Sequence, residues 1–168
     1  MKAHLLFFCA AALLLAGCAA TKQTSEQRAA EQAAIAKSVR EQVPAASFKI
    51  VATEMIPLRA PSKTLTDPYF VKVEDNCLES ALPYFGRATN IPYGGGNALD
   101  FKTEITSYNW KEVKPGVYDI KVVASNSEDT YEYNIRLYDN GSASININCR
   151  NREAITFLGQ LETNQSAK

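Results

Sequence analysis

From Ser47 to Leu161 the apolar residues recur every second position, and this period constrains the fold more than any other feature of the chain. Phe48, Ile50 and Ala52 alternate with Lys49 and Val51; Tyr69, Val71 and Val73 alternate with Phe70, Lys72 and Glu74. Successive side chains of a strand point to opposite faces, so each segment carries one apolar face. A long meander continues the pattern through Phe101–Lys111, Val117–Ala124, Thr130–Tyr138, Ser142–Cys149 and Glu153–Leu161. Turn chemistry separates the meander's members at Pro115-Gly116, at Ser125–Asp129 and at Asp139-Asn140-Gly141. Antiparallel strands with one apolar face each must curl into a barrel or stack as a sandwich, and short consecutive connections favour an up-and-down barrel. The expected class is all-β, an antiparallel meander closing on itself.

One hairpin can be registered from the residues. Tyr131, Tyr133, Ile135 and Leu137 form one face, and Ala143, Ile145, Ile147 and Cys149 the matching face of the next strand. A two-residue Asn-Gly turn would pair Leu137 with Ser144 and mix the faces. A three-residue loop with Gly141 left-handed in a bulge pairs Leu137 with Ala143 and sets Asn134 opposite Asn146 and Arg136 opposite Ser144 on a solvated outer face. In the first meander strand Phe101 and Ile105 lie on one parity, Tyr108 and Trp110 on the other. A bulge near Thr106 reconciles them. The stretch IPLRAPSKTLTDP, with its three prolines, reads as a linker.

Ahead of the strands, TSEQRAAEQAAIAKSVREQV is helical. Thr24 with Gln27 can form a capping box, Lys37 and Glu41 an i,i+4 pair, and Pro44 ends the helix. Its apolar stripe, Ala29, Ala33, Ala36, Val39 and Val43, is weak, so the expectation is a spacer rather than a packed element. At the start, MKAHLLFFCAAALLLAGCAA has a basic Lys2, an apolar run of 12 residues from Leu5 to Ala16, and Gly17 before Cys18. That is a signal peptide, too short to span a bilayer that needs roughly 20 apolar residues. Leu15-Ala16-Gly17-Cys18 resembles the lipobox of bacterial lipoproteins. The resemblance implies a diacylglyceryl group on Cys18, cleavage before it, and acylation of the new amine, palmitate being the expected chain. The organisation is then residues 1–17 signal peptide, 18–46 lipidated tether and helix, 47–163 barrel and 164–168 tail.

Cleavage would discard His4, the one histidine of the chain. Ser-His-Asp and Cys-His catalysis, histidine zinc sites and histidine pH switches are then excluded. Asp75 with Glu79 and Asp100 with Glu104 are the close carboxylate pairs, and both read as ordinary surface charge. No enzyme activity and no cofactor or metal is expected. Loss of Lys2 turns 18 basic against 18 acidic residues into a formal charge of −1, and without a basic patch nucleic acid is not an expected partner. Cys77 and Cys149 remain, 72 positions apart. An oxidising envelope makes a disulfide the expectation, at roughly 4 kcal/mol in the chain-entropy model, the alternative being two buried free thiols.

Between the strands lies LPYFGRATNIPYGGG, residues 82–96. LPYFGRA, NIPYGG, a strand beginning LDF, the hairpin YDNGSA and CRNREAITFLGQLE together resemble a bacteroidete family of small envelope lipoproteins, known as a domain of unknown function, over about Phe48 to Glu162. The resemblance implies a lipoprotein with a lipocalin-like barrel and no known activity. Read physically, Pro83 breaks a ladder and Gly86 permits a bend, so LPYFG is a corner that aims Tyr84 and Phe85 to opposite sides. Two roles are open. Arg87, or Arg152, closes a barrel end with its guanidinium stacked on Tyr84 or Trp110; or Arg87, Tyr93 and Gly94-Gly95-Gly96 form the rim of a ligand mouth. No Gly-Lys-Ser/Thr follows the glycines, which excludes a phosphate loop.

The expected function is a non-enzymatic binding module for a small apolar or amphipathic ligand, held in an open, partly apolar barrel, with Tyr84, Arg87, Tyr93 and Arg152 as ligand-binding residues. The alternative is a structural or interaction scaffold whose Thr130–Cys149 outer face docks an envelope protein. Ala19-Ala20 after Cys18, with no acidic run before Glu26, predicts anchoring in the outer membrane facing the periplasm.

Overall fold

The computed structural model describes residues 24–89 and 98–163. The signal peptide, Cys18, Tyr93, Gly94-Gly95-Gly96 and the 164–168 tail lie outside the described residues. The chain divides into two compact units, Met1–Glu31 and Gln32–Lys168. Of the first, the described part opens helix α1 (Ser25–Gln42). The capping box forms: Thr24 N–H donates to Gln27 Oε1 at 3.0 Å, and Gln27 N–H to Thr24 Oγ1 at 3.3 Å.

In the second unit the period-two pattern becomes nine strands: β1 (Phe48–Pro57), β2 (Lys63–Thr64), β3 (Phe70–Glu74), β4 (Cys77–Leu82), β5 (Leu99–Lys114), β6 (Val117–Ser125), β7 (Thr130–Tyr138), β8 (Ser142–Cys149) and β9 (Ile155–Leu161). Each pairs antiparallel with its neighbour in the order β1-β3-β4-β5-β6-β7-β8-β9, and β9 returns to β1. Eight strands therefore close into an up-and-down barrel. β2 adds a two-residue pairing to β1, Glu54 with Thr64 and Met55 with Lys63. The supposed linker thus contains a short strand.

The registered hairpin forms as its residues require. Leu137 pairs with Ala143, Arg136 with Ser144 and Asn134 with Asn146, and Gly141 sits at φ +82°, a conformation that costs glycine little. The β5–β6 register shifts between Ile105 and Ser107, which places the bulge at Thr106 and turns Tyr108, half-buried, against the core, while Trp110 on the same parity stays 42 % exposed. The Tyr108 hydroxyl donates to Val43 O at 2.6 Å.

That contact corrects the spacer expectation for α1. Val39 and Val43 are both 0 % exposed and join the hydrophobic core, with Ile35 packed beside them. Ala33 stays exposed. Two valines one turn apart are enough to seat the end of the helix on the barrel's apolar interior.

Among the described residues the lumen is packed with side chains. Tyr131, Tyr133, Ile145 and Phe157 are each 0 % exposed, so no water-sized sphere fits against them. The open cavity expected of a carrier is not present around these residues, because bulky side chains of β7, β8 and β9 meet across a small barrel. The buried Tyr133 hydroxyl is satisfied, donating to Ser80 Oγ at 2.9 Å, which itself donates to Leu99 O at 2.7 Å.

The expected disulfide is also corrected: Cys77 and Cys149 are free. Cys77 opens β4 beside the β3–β4 turn, and Cys149 ends β8 beside the β8–β9 connection. In the strand order β4 and β8 stand four strands apart in a ring of eight, on opposite walls and at opposite ends. A disulfide needs Cα atoms within about 7 Å.

Candidate functional site

The corner begins where Pro83 ends the β4 ladder after the buried Leu82. Tyr84 turns inward and its hydroxyl donates toward Arg87 O, 2.9 Å away, and Glu153 O, 3.1 Å away. Burial pushes that hydroxyl's pKa up. Phe85 turns outward, 52 % exposed, with Lys63 Nζ 4.8 Å over its ring. The two aromatics thus point to opposite sides of the corner.

Beyond Gly86 the stretch is bonded to the segment that leads into β9. Ala88 and Arg152 form an antiparallel bridge. Thr89 N–H donates to Asn151 O at 2.8 Å, Glu153 N–H to Arg87 O at 3.0 Å, and Arg87 N–H to Glu153 Oε2 at 3.3 Å. LPYFGRA and NRE, far apart in sequence, are zipped together across the barrel end.

Arg152 lies behind this zipper with its side chain 3 % exposed. Its Nη1 donates to Asp129 Oδ2 at 3.3 Å and its Nη2 to Glu128 Oε2 at 3.2 Å. The Asp129 carboxylate, 0 % exposed, also accepts the backbone N–H groups of Thr130, Arg150 and Asn151 at 2.8, 3.0 and 3.2 Å. Arg152 does close a barrel end, but against two carboxylates and not against the Tyr84 or Trp110 ring. Desolvating a guanidinium demands ionic partners more than a quadrupole. Arg152 is therefore a structural lock, and among the described residues it is not part of the corner's exposed lining. The signal for its partners was the Glu128-Asp129 pair, which reads in sequence as a solvated hairpin tip.

Arg87 is exposed and closes nothing. With Arg59 it flanks Glu153: Arg59 Nε lies 2.8 Å from Glu153 Oε1. The Arg87 N–H, then the Arg59 guanidinium, hold the Glu153 carboxyl below the usual carboxylate range. Pro57, Ala60, Tyr84, Phe85 and Gly86 complete an external cleft of about 390 Å³. Of the residues expected at a ligand mouth, the structure brings Tyr84 and Arg87 together, sets Arg152 behind them, and does not describe Tyr93. Arg59 and Lys63 were not foreseen, since both fall in the segment read as linker. The cleft has a hydrophobic wall and a rim in which two cations, Arg59 and Arg87, flank one carboxylate, with Lys63 close by over the Phe85 ring. Such a surface can seat a molecule with an apolar body and an anionic head.

A family model described as a domain of unknown function, DUF4251, matches residues 29–161. Among solved structures, a DUF4251 family protein from Bacteroides eggerthii is similar, with 17 % sequence identity and a TM-score of 0.61 over 82 % of this chain and 93 % of that chain. At that identity the likeness is one of fold. A comparison with curated proteins found no match.

Proposed function

The chain belongs to the DUF4251 family, and from the cleft built where its two motif segments meet we propose that it is a lipid-anchored, non-enzymatic binding module of the cell envelope. Its ligand is a small amphipathic molecule with an anionic head, held outside the barrel. Support comes from one observation above all: among the described residues the lumen is occupied by protein side chains, whereas the corner presents the exposed Phe85, with Lys63 over its ring, beside Arg59 and Arg87. The zipper of residues 87–89 on 151–153 and the buried Arg152–Asp129 pair hold that corner in place. The site is preorganised, which limits the ordering cost of binding.

In this reading Cys18 carries the acyl chains, which anchor stably when two or more are present, and the barrel faces the periplasm from the outer membrane. Metabolic labelling with palmitate should mark the wild-type chain and spare Cys18→Ser. Protease added to intact cells should leave the barrel uncut.

The binding claim is tested with sodium laurate below its micellar concentration, titrated calorimetrically into the full-length Cys18→Ser chain. Binding that weakens at least about tenfold in both Phe85→Ala and Arg87→Ala supports the reading. Equal binding by the wild type and both variants, or none by any, overturns it.

A further inference from the structure

A second concavity lies elsewhere, on the outer face of β5–β8, with a volume of about 590 Å³. Its floor is made of two cross-strand rows. Lys111, Asp119, Arg136 and Ser144 are direct neighbours from β5 to β8, and Asn134 and Asn146 lie side by side in the next row. Arg136 grips Asp119 with two bonds, Nε to Oδ1 at 2.7 Å and Nη2 to Oδ2 at 3.1 Å. That grip raises the guanidinium's pKa and lowers the carboxyl's, and it fixes a donor and an acceptor side by side at the groove's centre. Asn134 and Asn146 are oriented in turn, their Nδ2 groups donating to Glu132 Oε1 at 3.0 Å and Thr156 Oγ1 at 3.0 Å. Tyr138, 38 % exposed, stands on the same face beside Arg136.

The chemistry of these rows selects a ligand class. Opposed residues on neighbouring strands lie about 5 Å apart, so donors and acceptors alternate at short intervals over a flat area. Ring hydroxyls, each able to donate and accept, complement such an array. Tyr138 adds an amphipathic face for a sugar ring. Charge narrows the class further. Lys121 is paired to Glu132 at 2.7 Å and Arg136 to Asp119, while Lys111 makes no salt bridge among the described residues, leaving one cation in excess. Two exposed aromatics, Trp110 and Tyr138, and one spare cation fall short of a single-stranded nucleic acid, which calls for a stacking platform under each base and a charged track.

We propose that this groove binds an acidic oligosaccharide, its hydroxyls on the Asp119–Arg136 and Asn134–Asn146 rows and a carboxylate on Lys111. The site is separate from the corner cleft and does not depend on the laurate result. Isothermal titration of the full chain, solubilised in detergent, with trigalacturonate tests it. Maltotriose serves as the neutral control and triglutamate as an anion without rings. The expected result is saturable binding of trigalacturonate, at least about tenfold weaker for either control, and lost by a similar factor in Lys111→Ala and Tyr138→Ala with unchanged thermal melting. Equal binding of triglutamate, equal binding of maltotriose, no binding of trigalacturonate, or wild-type binding in both variants overturns it.

Discussion

Asp129 does more for the barrel end than its ionic partner does. Its carboxylate holds three backbone N–H groups as well as Arg152, so Asp129→Ala orphans those donors and leaves a buried guanidinium short of charge. Breaking a buried pair in this way costs about 3–5 kcal/mol. Arg152→Met should cost less, since Asp129 keeps its three amides. Urea melts of both variants check the order, and a larger loss in Arg152→Met would contradict this role for the lock. The free Cys149 gives a second residue-scale prediction. Burial pushes its thiol up from 9.0 to about 12, so the folded state favours the protonated form. The stability this confers is complete below the ordinary thiol value and is lost as pH rises through 9 toward 12. Melts at pH 7 and pH 10.5 should show a drop that is smaller in Cys149→Ala. The hydroxyls of the buried Tyr133 and the half-buried Tyr108 shift in the same direction and account for the part that remains.

Among the elements, α1 and the β1–β9 seam decide whether the barrel closes. Val39 is fully buried and Ala33 exposed on the same helix, so Val39→Asp should destabilise by about 3 kcal/mol while Ala33→Asp leaves the melt unchanged. Equal, small effects would restore the spacer reading. At the seam, a Cβ on Gly159 would run into the Val51 carbonyl oxygen and meet Ile50 Cγ2 at 3.0 Å. Backbone cannot give way as a side chain can, and Gly159→Ala should cost about 1–3 kcal/mol by overpacking, read as a lower urea midpoint at an unchanged slope. Pattern decided which of these elements were legible in the sequence. The Gly141 loop and the Thr106 bulge were readable because a misplaced parity would have exposed Leu137 or Tyr108. β4 escaped because its central inward residue is Ser80, a hydroxyl that looks solvated until Tyr133 is set against it. The packing of α1 escaped because within the helix only Val39 is buried, with Ile35 packed beside it, too short an apolar stripe to stand out.

At the scale of the molecule, the family and the up-and-down barrel were legible from the motifs and from period two. The positions of Cys77 and Cys149 were not, since sequence separation carries no information about which walls of a ring two strands occupy. The corner was half legible. Tyr84 and Arg87 announced a turn rich in aromatic and cationic groups, while the partners Arg59, Lys63 and Glu153 came only with the closure of β9 on β1. Among the described residues a packed lumen stands beside an open cationic cleft, so the proposed ligand would be held at the corner while the interior stays solid. The most direct test is NMR shift mapping of the full-length Cys18→Ser chain as sodium laurate is added. Saturable shifts are expected at Arg59, Phe85, Gly86, Arg87 and Glu153, with Tyr133, Ile145 and Phe157 unmoved. Shifts concentrated at Tyr133, Ile145 and Phe157, with the corner silent, would place the ligand in the lumen and contradict the claim.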